Sequence, residues 1–103
     1  MANIISAKDL NDLLHGKSKF ALIDVREAGE YNSSHIADSS LIPRKELEFR
    51  MDVSAPVKGE LLVICDDDGR RATLAAVTLE SMGFNNVSVL DHGINQWSTE
   101  GFP

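Results

Sequence analysis

The sequence predicts an α/β protein with an open parallel sheet and helices on both faces. Short apolar runs alternate with segments of helical periodicity along the 103 residues. The runs are continuously apolar, which is typical of strands buried on both faces. A hydrophobic content of 43% suffices for one modest core, so we expect a single domain over residues 1–103.

The first quarter of the chain predicts a helix followed by a strand. Ser6 with Asp9 three residues later is typical of a helix start, and Gly16 is a suitable helix end. The apolar run over residues 20–25 predicts a buried strand.

The next segment carries weaker signals. We predict a helical turn over residues 27–31 and a brief strand over residues 40–42. A short helix over residues 44–51 would place Leu47 and Met51 on one face.

The second half predicts two more strands, over residues 61–64 and 86–90, separated by a helix that begins at Arg70. A loop over residues 52–60 precedes the first of these strands, and a helical turn over residues 93–97 follows the second. The apolar face of the long helix comprises Ala72, Ala75, Ala76, Leu79 and Met82.

Cys65, the single cysteine, lies between the predicted strand and the long helix. Parallel sheets place reactive groups beyond the carboxyl ends of their strands. A helix N-terminus supplies unpaired N–H groups and positive potential that favour an anion, here a thiolate. We therefore predict Cys65 as the catalytic nucleophile; the alternative is a buried structural cysteine.

The loop after the cysteine is the predicted substrate-binding segment. Gly69 allows consecutive N–H groups to turn toward one point, and Arg70 and Arg71 offer cations for an oxyanion. Three aspartates in the loop counteract this attraction for anions. If their side chains point outward, the thiolate is unaffected. If they point inward, they make the thiol less acidic and repel anionic substrates. The predicted substrate-binding residues are Asp66, Asp67, Asp68, Gly69, Arg70 and Arg71.

Composition argues against several classes of function. One cysteine cannot form an internal disulfide, and we see no Cys/His cluster at zinc spacing, so no metal is expected. The net charge of −6 argues against nucleic acid and anionic membranes as partners. No apolar stretch approaches the roughly 20 residues that span a bilayer, and no secretory signal is visible. An unpaired thiol suits a reducing compartment, so we expect a cytoplasmic protein.

Three groups of residues, in order along the chain, resemble motifs of one family. Residues 65–70 are similar to its six-residue active-site loop, which begins with cysteine and ends with arginine. The flanking motifs are Asp24-Val25-Arg26-Glu27, Glu30-Tyr31, His35-Ile36 and Ile42-Pro43 before the loop, and Leu90-Asp91-His92-Gly93 with Trp97, Gly101 and Pro103 after it. The chain therefore resembles a single-domain rhodanese, over nearly its full length.

This resemblance implies a sulfurtransferase without a metal or organic cofactor. Cys65 would take sulfur from a donor such as thiosulfate, hold it as a persulfide, and pass it to cyanide, a thiol or a protein sulfur carrier. N–H groups of residues 66–70 would cradle the persulfide, and Arg70 would bind the donor's oxyanion. In the loop segment two positions depart from the family pattern: Asp68 stands where glycine is usual, with Gly69 one place later, and Arg71 stands where serine is common. In the first motif, Ser34 and Asp38 stand where glycines are usual, and Ala37 where proline is.

Two other functions remain open on the sequence. A non-catalytic rhodanese-like module that binds a partner would also tolerate an acidic loop. Counting from Cys65 to Arg71 gives the Cys-X5-Arg spacing of cysteine phosphatases and arsenate reductases. Elsewhere, we interpret Asp24 and Arg26 as an ion-paired brace near the site.

Overall fold

The computed structural model of the chain describes residues 2–54 and 59–103. Within them a five-stranded parallel sheet is flanked by helices, as the fold-class prediction requires. The strands are Asn3–Ile5 (β1), Phe20–Asp24 (β2), Ser40–Leu41 (β3), Leu61–Cys65 (β4) and Val87–Leu90 (β5). The helices are Ala7–His15 (α1), Ala28–Ser33 (α2), Leu47–Ser54 (α3), Arg70–Ser81 (α4) and Gly93–Thr99 (α5), with a 3-10 turn over Arg44–Glu46.

The strand order β1-β5-β4-β2-β3 puts β4 at the centre of the sheet. One core cluster joins the sheet to α3 and α4, and a second joins its other face to α1 and α5. Leu62 and Ile64 of β4 belong to the first cluster, whereas Val63 and Cys65 belong to the second. This alternation follows from the two-residue period of a strand.

The local signals for helix ends correspond to real caps. The Ser6 side chain accepts the Asp9 N–H at 3.1 Å, and the Gly16 N–H donates to the Leu13 carbonyl at the end of α1. Glu27 and Glu30 form a reciprocal capping box at the start of α2. These bonds satisfy backbone groups that the helix itself leaves unpaired.

The structure adds one strand that was not predicted and corrects two predicted bounds. Strand β1 was not predicted, because three residues are too few for a periodic signal and its Ile4 side chain is exposed at the sheet edge. Helix α3 extends to Ser54, so residues 52–54 are helical and not loop; residues 55–58 of that predicted loop lie outside the described residues. Cys65 is paired within β4 rather than placed in the loop.

In the described part of the chain, every helix falls short of the length and apolar content that a bilayer-spanning segment requires.

Candidate functional site

The Cys65 thiol lies inside the protein core. Cys65 is the last residue of β4, pairs with Asp24 of β2, and has 0% of its surface exposed. Burial is the main cause that raises the pKa of its thiol well above the ordinary value; the negative charge of Asp24 adds to this, and Arg26 opposes it. The thiol is therefore neutral at pH 7. Its cluster comprises Ala7, Leu10, Leu22, Ile36, Val63, Leu90, Ile94 and Trp97.

Asp66, the next residue, is also fully buried and binds the helix N-terminus. One carboxylate oxygen, Oδ1, accepts the Gly69 N–H at 2.5 Å. The other, Oδ2, accepts the N–H groups of Arg71 at 2.7 Å and Ala72 at 3.2 Å. We call these three N–H groups the cradle. Burial raises the pKa of Asp66, and the cradle N–H groups offset part of that effect.

The other two aspartates bind the remaining N–H groups of the loop. Asp67 Oδ1 accepts the Asp68 N–H, and Asp68 Oδ1 accepts the Arg70 N–H, each at 3.0 Å. Every backbone N–H from residue 68 to residue 72 thus donates to an aspartate carboxylate. We expected N–H groups of residues 66–70 to converge on Cys65. In the structure those of residues 68–70 donate to aspartate carboxylates, and Cys65 packs in the core cluster on the other face of the sheet from α4.

The two arginines have different surroundings. Arg71 donates through Nη1 and Nη2 to the two carboxylate oxygens of Glu30, at 2.8 and 2.7 Å, and Nη2 lies 3.1 Å from Asp67 Oδ1. This pairing lowers the pKa of Glu30 to about 2 and raises that of Arg71. The Arg70 side chain is 90% exposed, and its Nε lies 3.8 Å from Asp68. Arg71 therefore holds the loop against α2, whereas Arg70 projects into solvent.

Helix α5 fixes the loop from another side. The N–H groups of Ile94 and Asn95 donate to the carbonyls of Asp66 and Asp67, at 2.8 and 3.0 Å. Gly93 has a φ of +63°, and a Cβ there would lie 2.5 Å from the Asp67 carbonyl carbon. Only glycine permits this approach. Our reading of the sequence missed Gly93 as a positioning residue; a glycine directly after the last strand was its signal.

The buried ion pair between Asp24 and Arg26 confirms the predicted brace. Arg26 Nη2 lies 2.8 Å from Asp24 Oδ2 and also donates to the Ser34 carbonyl at 2.7 Å. The pair joins the end of β2 to the segment after α2. Its charges are hydrogen-bonded to each other, so it acts as a structural element beside the loop.

The three loop carboxylates are close enough together to be considered as a cation site. One oxygen from each of Asp66, Asp67 and Asp68 lies within 4.8 Å of the others. Each carboxylate accepts at least one backbone N–H, a structural role of these acidic groups that needs no cation.

A groove of about 550 Å³ runs beside the loop between β1 and α4. Its lining includes the apolar residues Ile4, Leu74 and Val89 and the polar residues Arg70 and His92. Its lining includes neither Cys65 nor Asp66. This groove is thus a neighbour of the loop, and the thiol does not line it.

The fold and this strand–loop–helix arrangement agree with what comparison with known proteins finds. The family model of the rhodanese-like domain matches residues 6–100. The chain belongs to the rhodanese-like family. The resemblance inferred from its motifs is thereby confirmed.

Three relatives illustrate the range of this similarity. A Bacillus subtilis protein whose name describes a sulfur carrier, YrkF, is 31% identical over 91% of this chain and 50% of its own length. The human centrosomal protein of 41 kDa is 30% identical over 73% of this chain and 22% of its own length. The structure of a thiosulfate sulfurtransferase from Pseudomonas aeruginosa superposes with a TM-score of 0.89 and 26% identity, covering 97% of this chain and 19% of that one. The chain spans half or less of the length of these three relatives.

Proposed function

We propose that this chain is a rhodanese-like binding module that does not transfer sulfur through Cys65. The observation that carries the proposal is the Asp66 carboxylate, which accepts all three N–H groups of the cradle. A persulfide on Cys65 would need hydrogen-bond donors of this kind to stabilise its charge. Those donors are already bound to an internal anion.

The state of the thiol supports the same proposal. Cys65 is fully buried and its pKa is raised, and a neutral thiol is a poor nucleophile. Thiosulfate, an anion, would also approach three carboxylates, which repel it. The phosphatase or arsenate reductase alternative uses the same thiol and an anionic substrate, so it meets the same two obstacles.

A binding role is supported by two further observations. One relative is named for the centrosome, a cellular structure, rather than for a reaction. Three large apolar side chains around the groove between β1 and α4 are exposed to solvent: Ile4 by 72%, Leu74 by 53% and Val77 by 62%. Clustered exposed apolar side chains often mark surfaces that contact other proteins.

Sulfur transfer through Cys65 is the second candidate function. The names of two relatives, a sulfur carrier and a thiosulfate sulfurtransferase, favour it. A small sulfur donor and a thiol or sulfur-carrier acceptor would then be its partners. This function requires an opening motion that exposes Cys65 and moves the Asp66 carboxylate out of the cradle.

One experiment separates these two functions. The wild-type protein and Cys65→Ala are incubated with thiosulfate, and the intact masses and thiocyanate production from added cyanide are measured. We expect both proteins to remain at their original masses and to form thiocyanate at the background rate. A mass gain of one sulfur in the wild type that is absent from Cys65→Ala would establish Cys65 as a sulfur acceptor and overturn the proposal.

A further inference from the structure

The six-residue loop can be counted from Cys65 or from Asp66, and the structure favours the count from Asp66. Counted from Cys65, the fourth residue is Asp68 and the sixth is Arg70. Counted from Asp66, the fourth residue is Gly69 and the sixth is Arg71. The second count restores the glycine of the six-residue pattern and still ends in an arginine, whereas residues 65–70 match that pattern only in part.

The backbone supports the count from Asp66. Gly69 has a φ of +103°, in the left-handed region that favours glycine, so the chain turns at this residue. Arg71 is the arginine that faces the loop, through its contacts with Glu30 and Asp67, whereas Arg70 is almost fully exposed. Cys65 belongs to the strand, because it pairs with Asp24 and packs against α1 and α5.

We infer that Asp66 occupies the nucleophile position of this loop and that Cys65 is the strand residue before it. The loop keeps its anion-binding backbone, its turning glycine and its inward arginine, and a carboxylate stands where an active loop would carry a thiolate. This inference rests on the proposed function, since it explains why the module lacks sulfurtransferase activity. The inference also predicts that the single substitution Asp66→Cys returns a thiol sulfur to the nucleophile position of the loop.

The chemistry expected of Asp66→Cys is a balanced two-step transfer. The new thiolate attacks the outer sulfur of thiosulfate and forms an S–S bond, while the S–S bond of thiosulfate breaks and sulfite leaves with the electron pair. Cyanide then attacks the outer sulfur of the persulfide, thiocyanate leaves, and the thiolate is regenerated. No external oxidant or reductant is needed.

The test uses two variants that differ only in where the loop carries its thiol. Asp66→Cys and Asp68→Cys are each made in the Cys65→Ala background, and their folding is checked by circular dichroism. Position 66 is as buried as Cys65, so what distinguishes a thiol there is the three cradle N–H groups, which stabilise negative charge on the reacting sulfur. Loss of a single donor of this kind typically costs about 100-fold in rate. We therefore expect Asp66→Cys to gain one sulfur from thiosulfate at least about tenfold faster than the exposed Asp68→Cys. Equal rates, or no sulfur on Asp66→Cys, would overturn the inference.

A second measurement needs no substitution. In the wild-type protein, the amide protons of Gly69, Arg71 and Ala72 bind one carboxylate, so their NMR shifts should change together with the protonation of the Asp66 carboxyl. Three unrelated titration curves would overturn the inference even if Asp66→Cys did not fold. Sulfur uptake by wild-type Cys65 would instead overturn the proposed function, so the two failures are distinguishable.

Discussion

At the end of β4, two adjacent side chains have opposite surroundings for a geometric reason. Successive strand residues point to opposite faces of the sheet, so Cys65 follows Val63 into the cluster with α1 and α5. Asp66 is the first residue beyond the strand, where the chain turns toward the N-terminus of α4. A carboxylate there satisfies donors that the first turn of a helix leaves unpaired. Asp66 thus stabilises the loop whatever reaction the loop can or cannot support.

The first prediction concerns the stability that Asp66 contributes. Asp66→Ala removes the acceptor of three N–H groups, and unsatisfied buried donors typically cost about 1–3 kcal/mol each before water or local rearrangement compensates. We expect the free energy of unfolding in urea to fall by roughly 2–4 kcal/mol. The control is Asp68→Ala, which loses one exposed bond to Arg70 and should cost about 1 kcal/mol or less. Equal effects of the two substitutions would show that the cradle is not formed in solution.

Contacts between elements hold the loop in position from two directions. The Glu30–Arg71 pair connects α2 with the first turn of α4, and the N-terminus of α5 binds the carbonyls of Asp66 and Asp67. Both connections join residues far apart in the sequence. They explain why the loop has one defined arrangement despite three neighbouring negative charges.

The second prediction concerns the pH dependence of the α2–α4 contact. The pKa of Glu30 is lowered from 4.5 to about 2, so its ionised form stabilises the folded state above pH 4.5. That contribution is lost as the pH falls from 4.5 toward 2. The stability difference between the wild type and Glu30→Gln should therefore shrink over this range when urea unfolding is followed at each pH. The same measurement on Asp12→Asn, from an exposed pair with Lys8, controls for the loss of one surface charge; a constant difference for Glu30→Gln would contradict the prediction.

The third prediction concerns the contact between α5 and the loop. In Gly93→Ala, the added methyl group would meet the backbone of Asp67 and would also occupy a left-handed conformation. We expect a loss of at least about 2 kcal/mol in the free energy of unfolding. Gly29→Ala is the matched control, because nothing lies within 4 Å of its added Cβ and alanine favours the helix α2. Thermal denaturation of both variants provides the comparison, and a neutral Gly93→Ala would mean that α5 lies farther from the loop than described.

Over the whole molecule, one sheet separates two apolar clusters that share the central strands. β4 and β5 contribute side chains to both clusters. Unfolding of either cluster therefore disturbs strands against which the other cluster packs. The single tryptophan, Trp97, is 3% exposed and belongs to the cluster with α1 and α5. It therefore reports on one face of the sheet alone.

The fourth prediction concerns cooperative unfolding. The fluorescence of Trp97 follows the α1–α5 face, whereas far-ultraviolet circular dichroism follows the helices of both faces. We expect the two signals to give the same urea midpoint, because a single domain of this size that shares its central strands unfolds as one unit. A Trp97 transition at a distinctly lower urea concentration would show that the two faces unfold separately.

Much of the fold could be predicted because its signals are local. The caps at Ser6 and Gly16, the apolar runs of β2 and β4 and the helical period of α4 each depend on residues within a few positions of one another. The edge strand β1 depends on pairing with β5, more than 80 residues later in the chain, and three residues carry too little local pattern to reveal it. The cytoplasmic location and the absence of a nucleic-acid partner remain predictions from composition.

The sequence by itself determined the family, the parallel α/β fold and the segment in which the candidate site lies. It did not determine which residue of that segment faces the helix N-terminus, since Cys65 and Asp66 are neighbours and either can begin a six-residue loop. Only the tertiary structure decided this, through the pairing of Cys65 with Asp24 and the hydrogen bonds of Asp66. The physical reason is that a shift of one residue in a strand sends a side chain to the opposite face of the sheet. Here that shift separates a buried thiol from a carboxylate bound in the cradle.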